Sequence, residues 1–311
     1  MYYVGIDGGG TKTETLICDH EGRLLGSSST GGSNPHFVGT TAAFAAVADG
    51  LNGVMSQLDK SQIAQAALCV PGLRKHRQEL PAVLGLNPSQ LIVDSDLMST
   101  FYGSLVQEHG VIVLAGTGSF SLGIAQNGNK VSAGGWGPVI GDAGSGQLMA
   151  VQALQATARQ FDHMGPGTLL SDKIKDYFGM ESINELKTIV NLDNVSKLTY
   201  IVRECAEEGD SIACEIIADA AKGLADLASA VIQQSAIDTD EGQIALAGGM
   251  WRLGDLLLRP FEEIMRERYS KIDIIPAKFP PVIGALLMAL RADGIPWSEK
   301  LIQTMKKTMH K

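Results

Sequence analysis

Cysteine and aromatic residues are scarce in this chain. Its 311 residues include four cysteines, and aromatic side chains make up 5% of the sequence. The cysteines (Cys18, Cys69, Cys205 and Cys214) form no Cys-x-x-Cys pair, which argues against a disulfide framework. The pattern indicates reduced, mostly buried thiols, so we expect a cytoplasmic protein.

Long apolar runs and basic clusters are also missing. Residues 282–290 form one of the longest apolar stretches, far too short to cross a bilayer, and the N-terminus lacks the features of a signal peptide. The net charge is −9 with no basic cluster larger than Lys306-Lys307, which argues against nucleic acid as a partner. With 45% apolar residues in 311, the chain is expected to form two α/β domains.

Three consecutive glycines follow the first predicted strand. The chain reads Asp-Gly-Gly-Gly-Thr-Lys at residues 7–12, between an apolar start and a second strand at residues 13–18. Glycine permits positive φ and leaves no Cβ, so backbone N–H groups can form a concavity that attracts anions. Asp7 would supply a carboxylate for a hydrated metal ion, and Thr11 a hydroxyl for a phosphate oxygen. A tight hairpin without a ligand is the plainer alternative.

The residues after these glycines continue as a strand. They alternate and are rich in β-branched types, whereas a P-loop or a dinucleotide fingerprint would open a helix. A phosphate loop between two antiparallel strands resembles the first phosphate loop of the sugar kinase, Hsp70 and actin superfamily. The resemblance implies further loops downstream.

A second strand, glycine-rich loop and strand occur near residue 111. An apolar strand at residues 111–115 runs into Gly-Thr-Gly-Ser at 116–119, and the next strand, at 120–125, leads to the hairpin turn Asn127-Gly128. We interpret the repetition as two phosphate-binding units facing each other across a cleft; two unrelated hairpins are the alternative.

The hydrophobic pattern predicts the remaining elements. The further strands are expected at residues 23–28, 66–70, 90–93, 243–247 and 271–275, with a loop at 30–35. The helices are expected from Thr40 or Thr41 (as N-cap) to residue 58, from Asp96 to 107, at 145–161, from the N-cap Asp210 to 235, from about Arg252, at 282–290 and from about Trp297.

Three motifs together narrow the resemblance. Residues 7–12, the Gly-Thr-Gly-Ser loop and Gly-Gly-Trp-Gly-x-x-x-Gly-Asp-x-Gly-Ser at 134–145 closely resemble the N-acetylglucosamine kinase group of the BadF/BadG/BcrA/BcrD ATPase family. The resemblance implies an α/β fold of two ribonuclease H-like (actin-like ATPase) domains around a central cleft. One would comprise residues 1–109 joined by C-terminal helices at about 283–311. The other, residues 110–282, would carry the sugar and adenosine motifs.

The resemblance also implies an activity. Members of the family include kinases that transfer a phosphoryl group from ATP to the 6-hydroxyl of an amino sugar. We therefore expect an ATP-dependent kinase acting on N-acetylglucosamine with ATP and Mg²⁺. The expected partner is a small-molecule amino sugar, with neither nucleic acid nor a membrane, and a homodimer is left open.

The roles of the family's residues are carried over one by one. Asp96 matches the catalytic aspartate, whose carboxylate accepts the proton of the attacking hydroxyl, and Asp7 is expected to hold Mg²⁺. The matching substrate-binding positions are Asn34, Asp96, Ser119, Phe120, Gly135, Trp136, Gly137 and Asp142. The matching nucleotide-binding positions are Gly8, Gly9, Gly10, Thr11, Lys12, Thr117, Gly248 and Gly249. Plainer alternatives are a helix N-cap for Asp96, turn residues for Asn34 and Asp142, and a buried aromatic for Trp136.

Two positions depart from the eukaryotic-type kinases. Phe120 stands where those enzymes carry an Asn that touches the sugar. Ala133-Gly134 stands where they carry a Cys-Gly pair that lines the acetamido pocket. Glucosamine or another hexosamine derivative is therefore an alternative acceptor.

Other protein classes share parts of the pattern. ATPase activators of acyl-CoA dehydratases or reductases need cysteines for a shared iron–sulfur cluster, and none of the four cysteines lies in a matching loop. The ROK sugar kinase and repressor group shares Gly-Gly-Thr-Lys, but its Cys/His zinc motif and its helix-turn-helix are absent here. A non-catalytic sensor is disfavoured because Asp7, Asp96 and both phosphate loops are intact.

Overall fold

The computed structural model describes residues 1–55, 58–191, 195–235, 237 and 242–309. The described chain divides into two compact units, Met1–Glu108 with Ala277–Lys311, and His109–Pro276. Residues 310–311, which the predicted first domain includes, lie outside the described residues.

Each unit begins with three consecutive strands, and its other two strands are separated by helices. The strands are β1 (Tyr2–Gly8), β2 (Lys12–Asp19), β3 (Leu24–Gly31), β4 (Ile63–Cys69), β5 (Leu91–Asp94), β6 (Gly110–Ala115), β7 (Ser119–Ile124), β8 (Lys130–Gly134), β9 (Gln243–Ala247) and β10 (Asp273–Pro276). The helices are α1 (Pro35–Val38), α2 (Thr40–Val54), α3 (Leu80–Leu84), α4 (Asp96–Leu105), α5 (Gly137–Ile140), α6 (Gly146–Phe161), α7 (Leu170–Phe178), α8 (Leu186–Ile189), α9 (Leu198–Glu207), α10 (Ser211–Ser235), α11 (Asp255–Arg268), α12 (Pro281–Ala292) and α13 (Glu299–Thr308).

The sheets of the two units have the same strand order. Within the described residues, the first sheet runs β3-β2-β1-β4-β5 and the second β8-β7-β6-β9-β10. In each sheet the first three strands along the chain pair antiparallel, and the last two extend the sheet in parallel. The repeated pattern near residues 5 and 111 therefore reflects a repeated topology.

The first unit packs helices on both faces of its sheet. One face packs α2 through a stripe that includes Val47 and Leu51, both fully buried. On the other face α12 lies so close to β1 that a Cβ at Gly5 would come 2.7 Å from the carbonyl oxygen of Val282. Helix α12 also crosses α4 closely, since a Cβ at Gly103 would come 2.8 Å from Pro280 O. This crossing fixes α4, whose first residue is Asp96.

The second unit buries its core between its sheet and the long helix α10. The predicted apolar stripe of α10 is largely buried, with Ile216, Leu224 and Val231 in the core. Asp210 caps the helix as predicted, because its Oδ1 accepts a 2.8 Å hydrogen bond from Ala213 N. Ser145 caps α6 in a similar way, with its Oγ accepting from Leu148 N at 3.1 Å.

Several predicted element ends are wrong, and backbone conformation explains them. Helix α2 begins after Gly39, whose φ of +79° and carbonyl oxygen replace the expected Thr40 or Thr41 cap. It ends at Val54, before residue 58. In place of the helix expected from about Arg252, residues Gly249–Leu253 form a 3₁₀ turn. Gly254, at φ +61°, separates this turn from α11, which begins at Asp255.

The loop expected at residues 30–35 is also shorter than predicted. Strand β3 continues to Gly31, and α1 begins already at Pro35. Proline suits the first turn of a helix because its missing N–H has no partner there anyway. The loop is thereby confined to residues 32–34, next to the first glycine hairpin.

Candidate active site

The first glycine hairpin joins β1 to β2. Gly9 N donates to Lys12 O at 3.0 Å, which closes the turn. Glycine permits positive φ, but none of the three glycines adopts it here. They are needed for space instead, because a Cβ would meet Ser33 Oγ at Gly8 and the Phe37 ring, at 3.1 Å, at Gly10. Only Gly9 of the three leaves open space beside it.

The threonine and lysine of this hairpin face solvent. Thr11 and Lys12 are both exposed, and Lys12 Nζ forms a 2.9 Å ion pair with Glu14. An exposed ion pair of this kind contributes little to stability, so Lys12 can turn toward an anionic ligand at little cost.

Asp7 and Asp96 are brought together by Ser99. Ser99 Oγ lies 2.6 Å from Asp7 Oδ1 and 3.0 Å from the carbonyl oxygen of Asp96, so one fully buried hydroxyl touches both residues. Ser99 is one turn after Asp96 on α4, a spacing that places both on the same helix face. That spacing is the sequence signal by which Ser99 could have been found.

The carboxylates of this cluster are hard to ionise. The pKa of Asp7 is raised to about 7, chiefly by burial and also by the nearby charges of Asp96 and Glu14, while the Ser99 hydrogen bond and Lys12 act in the opposite direction. Burial also raises the pKa of Asp96. Asp96 is the first residue of α4 and Ser95 is the N-cap, so the alternative that Asp96 itself caps the helix is wrong.

This cluster fits a magnesium ion. Mg²⁺ is bound through one or two carboxylates together with waters and substrate phosphates, and Asp7 offers a desolvated carboxylate in a negatively charged setting. Among the described residues no group of three or more His, Cys, Asp or Glu side chains could hold a metal ion by itself. Asp7 would therefore share such an ion with phosphate oxygens.

Asn34 lies beside the first hairpin. Its backbone N–H donates to Gly9 O at 3.0 Å, and its Oδ1 accepts from His36 N at 3.0 Å, which caps α1. The cap fixes the side chain and leaves the amide NH₂ as a donor for a hydroxyl.

The second glycine hairpin joins β6 to β7 and is held by α6. Gly146 N donates to Gly116 O at 2.9 Å, and Gln147 N donates to Thr117 O at 3.2 Å. The first N–H groups of α6 thus bind the hairpin itself. The Thr117 side chain is exposed and remains available to a ligand.

The segment after β8 carries the remaining predicted sugar positions. Buried Asp142 accepts from Gly137 N at 2.9 Å, and Ser119 Oγ, also buried, donates to Ala143 O at 2.7 Å. Both side chains therefore hold the segment in place. Trp136, by contrast, is 68% exposed, so the alternative of a buried aromatic is wrong. Gly135 is likewise exposed, and Phe120 is half-buried on β7 beside it.

Gly248 and Gly249 have different roles after β9. Gly248 has φ +100°, and a Cβ there would meet the carbonyl oxygen of Ala115, so this glycine lets β9 approach β6 closely. Gly249 has open space beside it and lines a cavity of about 560 Å³. That volume falls in the range of small-molecule sites.

Residues of both the second hairpin and α9 line this cavity. Gly116, Thr117, Gly146 and Gly249 form its glycine-rich side. The cavity is also lined by residues that the sequence patterns did not single out as ligand contacts, Lys197, Tyr200, Arg203 and Arg252. The first three recur at every third position, so helical spacing could have indicated a shared face. The cavity combines an aromatic ring, cationic groups and bare backbone, which suits a nucleotide.

Two further observations concern the state of the thiols and the length of the apolar helices. Cys18, Cys69 and Cys205 are buried and Cys214 is exposed, and all four are free. No helix in the described ranges is long and apolar enough to cross a membrane.

Curated relatives match most of the chain. The N-acetyl-D-glucosamine kinase of Dictyostelium discoideum is 28% identical over 93% of this chain and 98% of its own length. The N-acetylmuramic acid/N-acetylglucosamine kinase of Clostridium acetobutylicum is 27% identical with the same coverage. A solved structure from Chromobacterium violaceum, described as a candidate N-acetylglucosamine kinase, shares the fold, with a TM-score of 0.74 and 24% identity over 93% of this chain and 98% of that one.

The predicted α/β fold of the actin-like ATPases is therefore confirmed. The model of the BadF/BadG/BcrA/BcrD ATPase family matches residues 4–289, nearly the whole chain. This chain belongs to the BadF/BadG/BcrA/BcrD ATPase family.

Proposed function

We propose that this protein is an ATP-dependent amino-sugar kinase that transfers the γ-phosphoryl group of ATP to the 6-hydroxyl of N-acetylglucosamine. The observation that carries the proposal is the cluster of Asp7, Ser99 and Asp96 beside a glycine hairpin. The names of the relatives from Dictyostelium discoideum and Clostridium acetobutylicum support the substrate class.

Asp96 acts as the general base. Its carboxylate accepts the proton of the 6-hydroxyl while the sugar oxygen forms a bond to the γ-phosphorus and the bond to the β-phosphate oxygen breaks, which releases ADP. The raised pKa of Asp96 makes the carboxylate a better proton acceptor than an exposed aspartate. Bound Mg²⁺ would neutralise phosphate charge, with Asp7 holding it.

The nucleotide is held by backbone and by a few polar side chains. We assign phosphate binding to the hairpin at residues 8–12 in the first unit and, separately, to the hairpin at residues 116–118 in the second, and we assign the base and ribose to Gly249 with the 560 Å³ cavity. Phosphoryl transfer depends mainly on positioning and charge neutralisation, which rigid hairpins provide. A cytoplasmic location is part of the proposal, since free thiols are typical there.

For the acceptor we assign Asn34 in the first unit and, separately, the segment after β8 in the second unit. Asn34 offers its amide to a hydroxyl, and exposed Trp136 offers a flat apolar face to the sugar ring. Val139 and Ile140, 91% and 74% exposed, extend the apolar surface of this segment. With Phe120 in place of the family's Asn, glucosamine or another hexosamine derivative remains the alternative acceptor.

The test is phosphoryl transfer by an Asp96→Asn variant. Transfer should fall by about 10²–10⁴ or more, while the Kd for the sugar, measured by calorimetry, should stay within about threefold. Asp94→Asn is the matched control, because Asp94 lies two residues earlier and is engaged by Ser95 N at 2.8 Å. Wild-type turnover in Asp96→Asn, or loss confined to Asp94→Asn, would remove Asp96 from the mechanism.

The choice of acceptor requires a second measurement. ADP release should be followed with N-acetylglucosamine, glucosamine and N-acetylmuramic acid at equal concentrations. The proposal expects the highest kcat/KM for N-acetylglucosamine. A higher kcat/KM for either of the others would replace the acceptor while leaving the kinase assignment in place.

A further inference from the structure

Residues 32–34 are attached to the first glycine hairpin through one atom. The carbonyl oxygen of Gly9 accepts hydrogen bonds from Ser33 N at 2.9 Å and from Asn34 N at 3.0 Å. Two consecutive N–H groups on one carbonyl leave that peptide little freedom, since rotating it would break both bonds at once. The proposed sugar residue and the proposed phosphate hairpin thus share a peptide group.

Close packing strengthens this attachment. A Cβ at Gly32 would meet the carbonyl group of Gly10, and a Cβ at Gly8 would meet Ser33 Oγ. The atoms that a Cβ at Gly32 would meet are backbone, so Gly32 cannot be replaced without moving the hairpin, whereas the contact at Gly8 is with a side-chain hydroxyl. Gly31, one residue earlier, has nothing within 4 Å of such a Cβ.

Ser33 holds residues 32–34 to the first hairpin through its backbone N–H and not through its side chain. Its hydroxyl is fully buried beside Gly8 and has no hydrogen-bond partner among the residues that the structure describes. A buried hydroxyl without a partner is unfavourable, so a conformation that keeps it there must be held by other interactions. The two bonds to Gly9 O and the close approach of Gly32 to Gly10 are those interactions.

The position of Asn34 is fixed from both sides. Its N–H is bound to Gly9 O, and its Oδ1 caps α1 through His36 N. A sugar hydroxyl that accepts a hydrogen bond from the remaining amide NH₂ therefore binds a side chain that cannot move without the Asn34 backbone and α1. Any shift of Asn34 is transmitted to the Gly9 peptide, next to Thr11.

We propose that residues 32–34 couple acceptor binding to phosphate binding, with Gly32 as the positioning residue. The inference rests on the proposed function, because it takes Asn34 as a sugar contact and residues 8–12 as a phosphate hairpin. An occupied acceptor site stabilises residues 32–34, and with them the Gly9 peptide, in this conformation beyond what the two hydrogen bonds to Gly9 O already do, so the nucleotide binds more tightly. By linkage, the nucleotide tightens sugar binding by the same factor.

The test is a double measurement on matched glycine variants. The Kd of AMPPNP with Mg²⁺ is measured with and without saturating N-acetylglucosamine in wild type, Gly32→Ala and Gly31→Ala. The wild type and Gly31→Ala should show a ratio of about fivefold or more, within the usual range of coupling factors. In Gly32→Ala the ratio should approach one.

A ratio near one in the wild type, or an unchanged ratio in Gly32→Ala, would overturn the coupling. A second measurement covers the case in which Gly32→Ala does not fold. Hydrogen exchange is followed in the wild type, where AMPPNP alone should slow exchange at the Ser33 and Asn34 amides, and sugar alone should slow it at residues 9–11. Absence of this cross-protection would also overturn the coupling.

Failure of the coupling can be distinguished from failure of the proposed function. If the wild type releases ADP with an amino sugar but shows a ratio near one, the coupling alone is wrong. If no sugar supports ADP release, the proposed function is wrong and the coupling falls with it.

Discussion

Ser99 Oγ lies 2.6 Å from Asp7 Oδ1, although 92 residues separate the two in the chain. The contact ties the end of β1 to the first turn of α4, where Asp96 lies. One hydroxyl thus orients the proposed magnesium carboxylate with respect to the proposed base.

Replacing Ser99 by Ala should weaken catalysis without preventing folding. The variant loses a hydrogen bond to a charged group, and such bonds contribute about 1.5–3 kcal/mol, so kcat/KM should fall by about tenfold or more. The Mg²⁺ concentration for half-maximal activity should rise, and the acid limb of the pH profile should move to higher pH, because the Ser99 hydrogen bond lowers the Asp7 pKa. Ser104→Ala, a second buried serine on α4, is the control and should retain the wild-type profile. An unchanged Mg²⁺ requirement in Ser99→Ala would contradict the assigned role.

Asp7 should make the ligand-free protein less stable as pH rises. Its pKa in the folded protein is about 7, above the ordinary value of 3.8, so the folded state holds the proton more tightly than the unfolded state. The resulting stabilisation is complete below about pH 4 and is lost as pH rises through about 7. Asp7→Asn removes this dependence, and the Tm of the variant should exceed that of the wild type at about pH 8, with the difference shrinking toward about pH 5.

Ligand binding provides the control for the Asp7 prediction. Mg²⁺ with AMPPNP should raise the Tm of the wild type at about pH 8 and raise that of Asp7→Asn much less, since the variant lacks the carboxylate. Equal Tm shifts in both proteins would show that Asp7 does not hold the metal. Parallel plots of Tm against pH for the two ligand-free proteins would contradict the raised pKa of Asp7.

Adjacent glycines after β9 should respond differently to alanine. Gly249→Ala places a methyl group in the 560 Å³ cavity but meets no protein atom, so Tm should stay within about 2 °C while the KM for ATP rises about tenfold. Gly248→Ala strains a residue at φ +100° and meets the Ala115 carbonyl, so it should lower Tm by several degrees. A lower Tm for Gly249→Ala with an unchanged KM would contradict the assignment of this cavity to the nucleotide.

The sheets were predictable from sequence, and the reasons are local. Runs such as those containing Val4 and Ile6, or Ile112 and Val113, combine β-branched residues with flanking glycine, which favours buried strands. The Asn127-Gly128 turn was also predictable, and Gly128 adopts φ +83° there. These signals lie within a few residues of the structure they specify.

The functions of individual glycines and helix ends were not predictable in the same way. Gly8 and Gly9 are identical in sequence terms, yet one is packed against Ser33 and the other is open. The difference depends on a segment more than twenty residues away, which no local pattern encodes. The cap at Gly39 and the 3₁₀ turn before Gly254 were missed because both depend on unusual glycine dihedral angles.

The two sheets share their strand order, but the connection between their third and fourth strands differs greatly in length. The connection from the third to the fourth strand spans residues 32–62 in the first unit and residues 135–242 in the second. In both units a residue that we assign to the acceptor comes directly after the third strand, Asn34 in the first unit and Trp136 in the second. The longer connection additionally contains α6–α10, including the α9 wall of the nucleotide cavity. Asn34, Trp136 and the α9 wall therefore all lie in the two connections, outside the paired strands, so their replacement can change ligand preference without altering the strand pairing of either sheet.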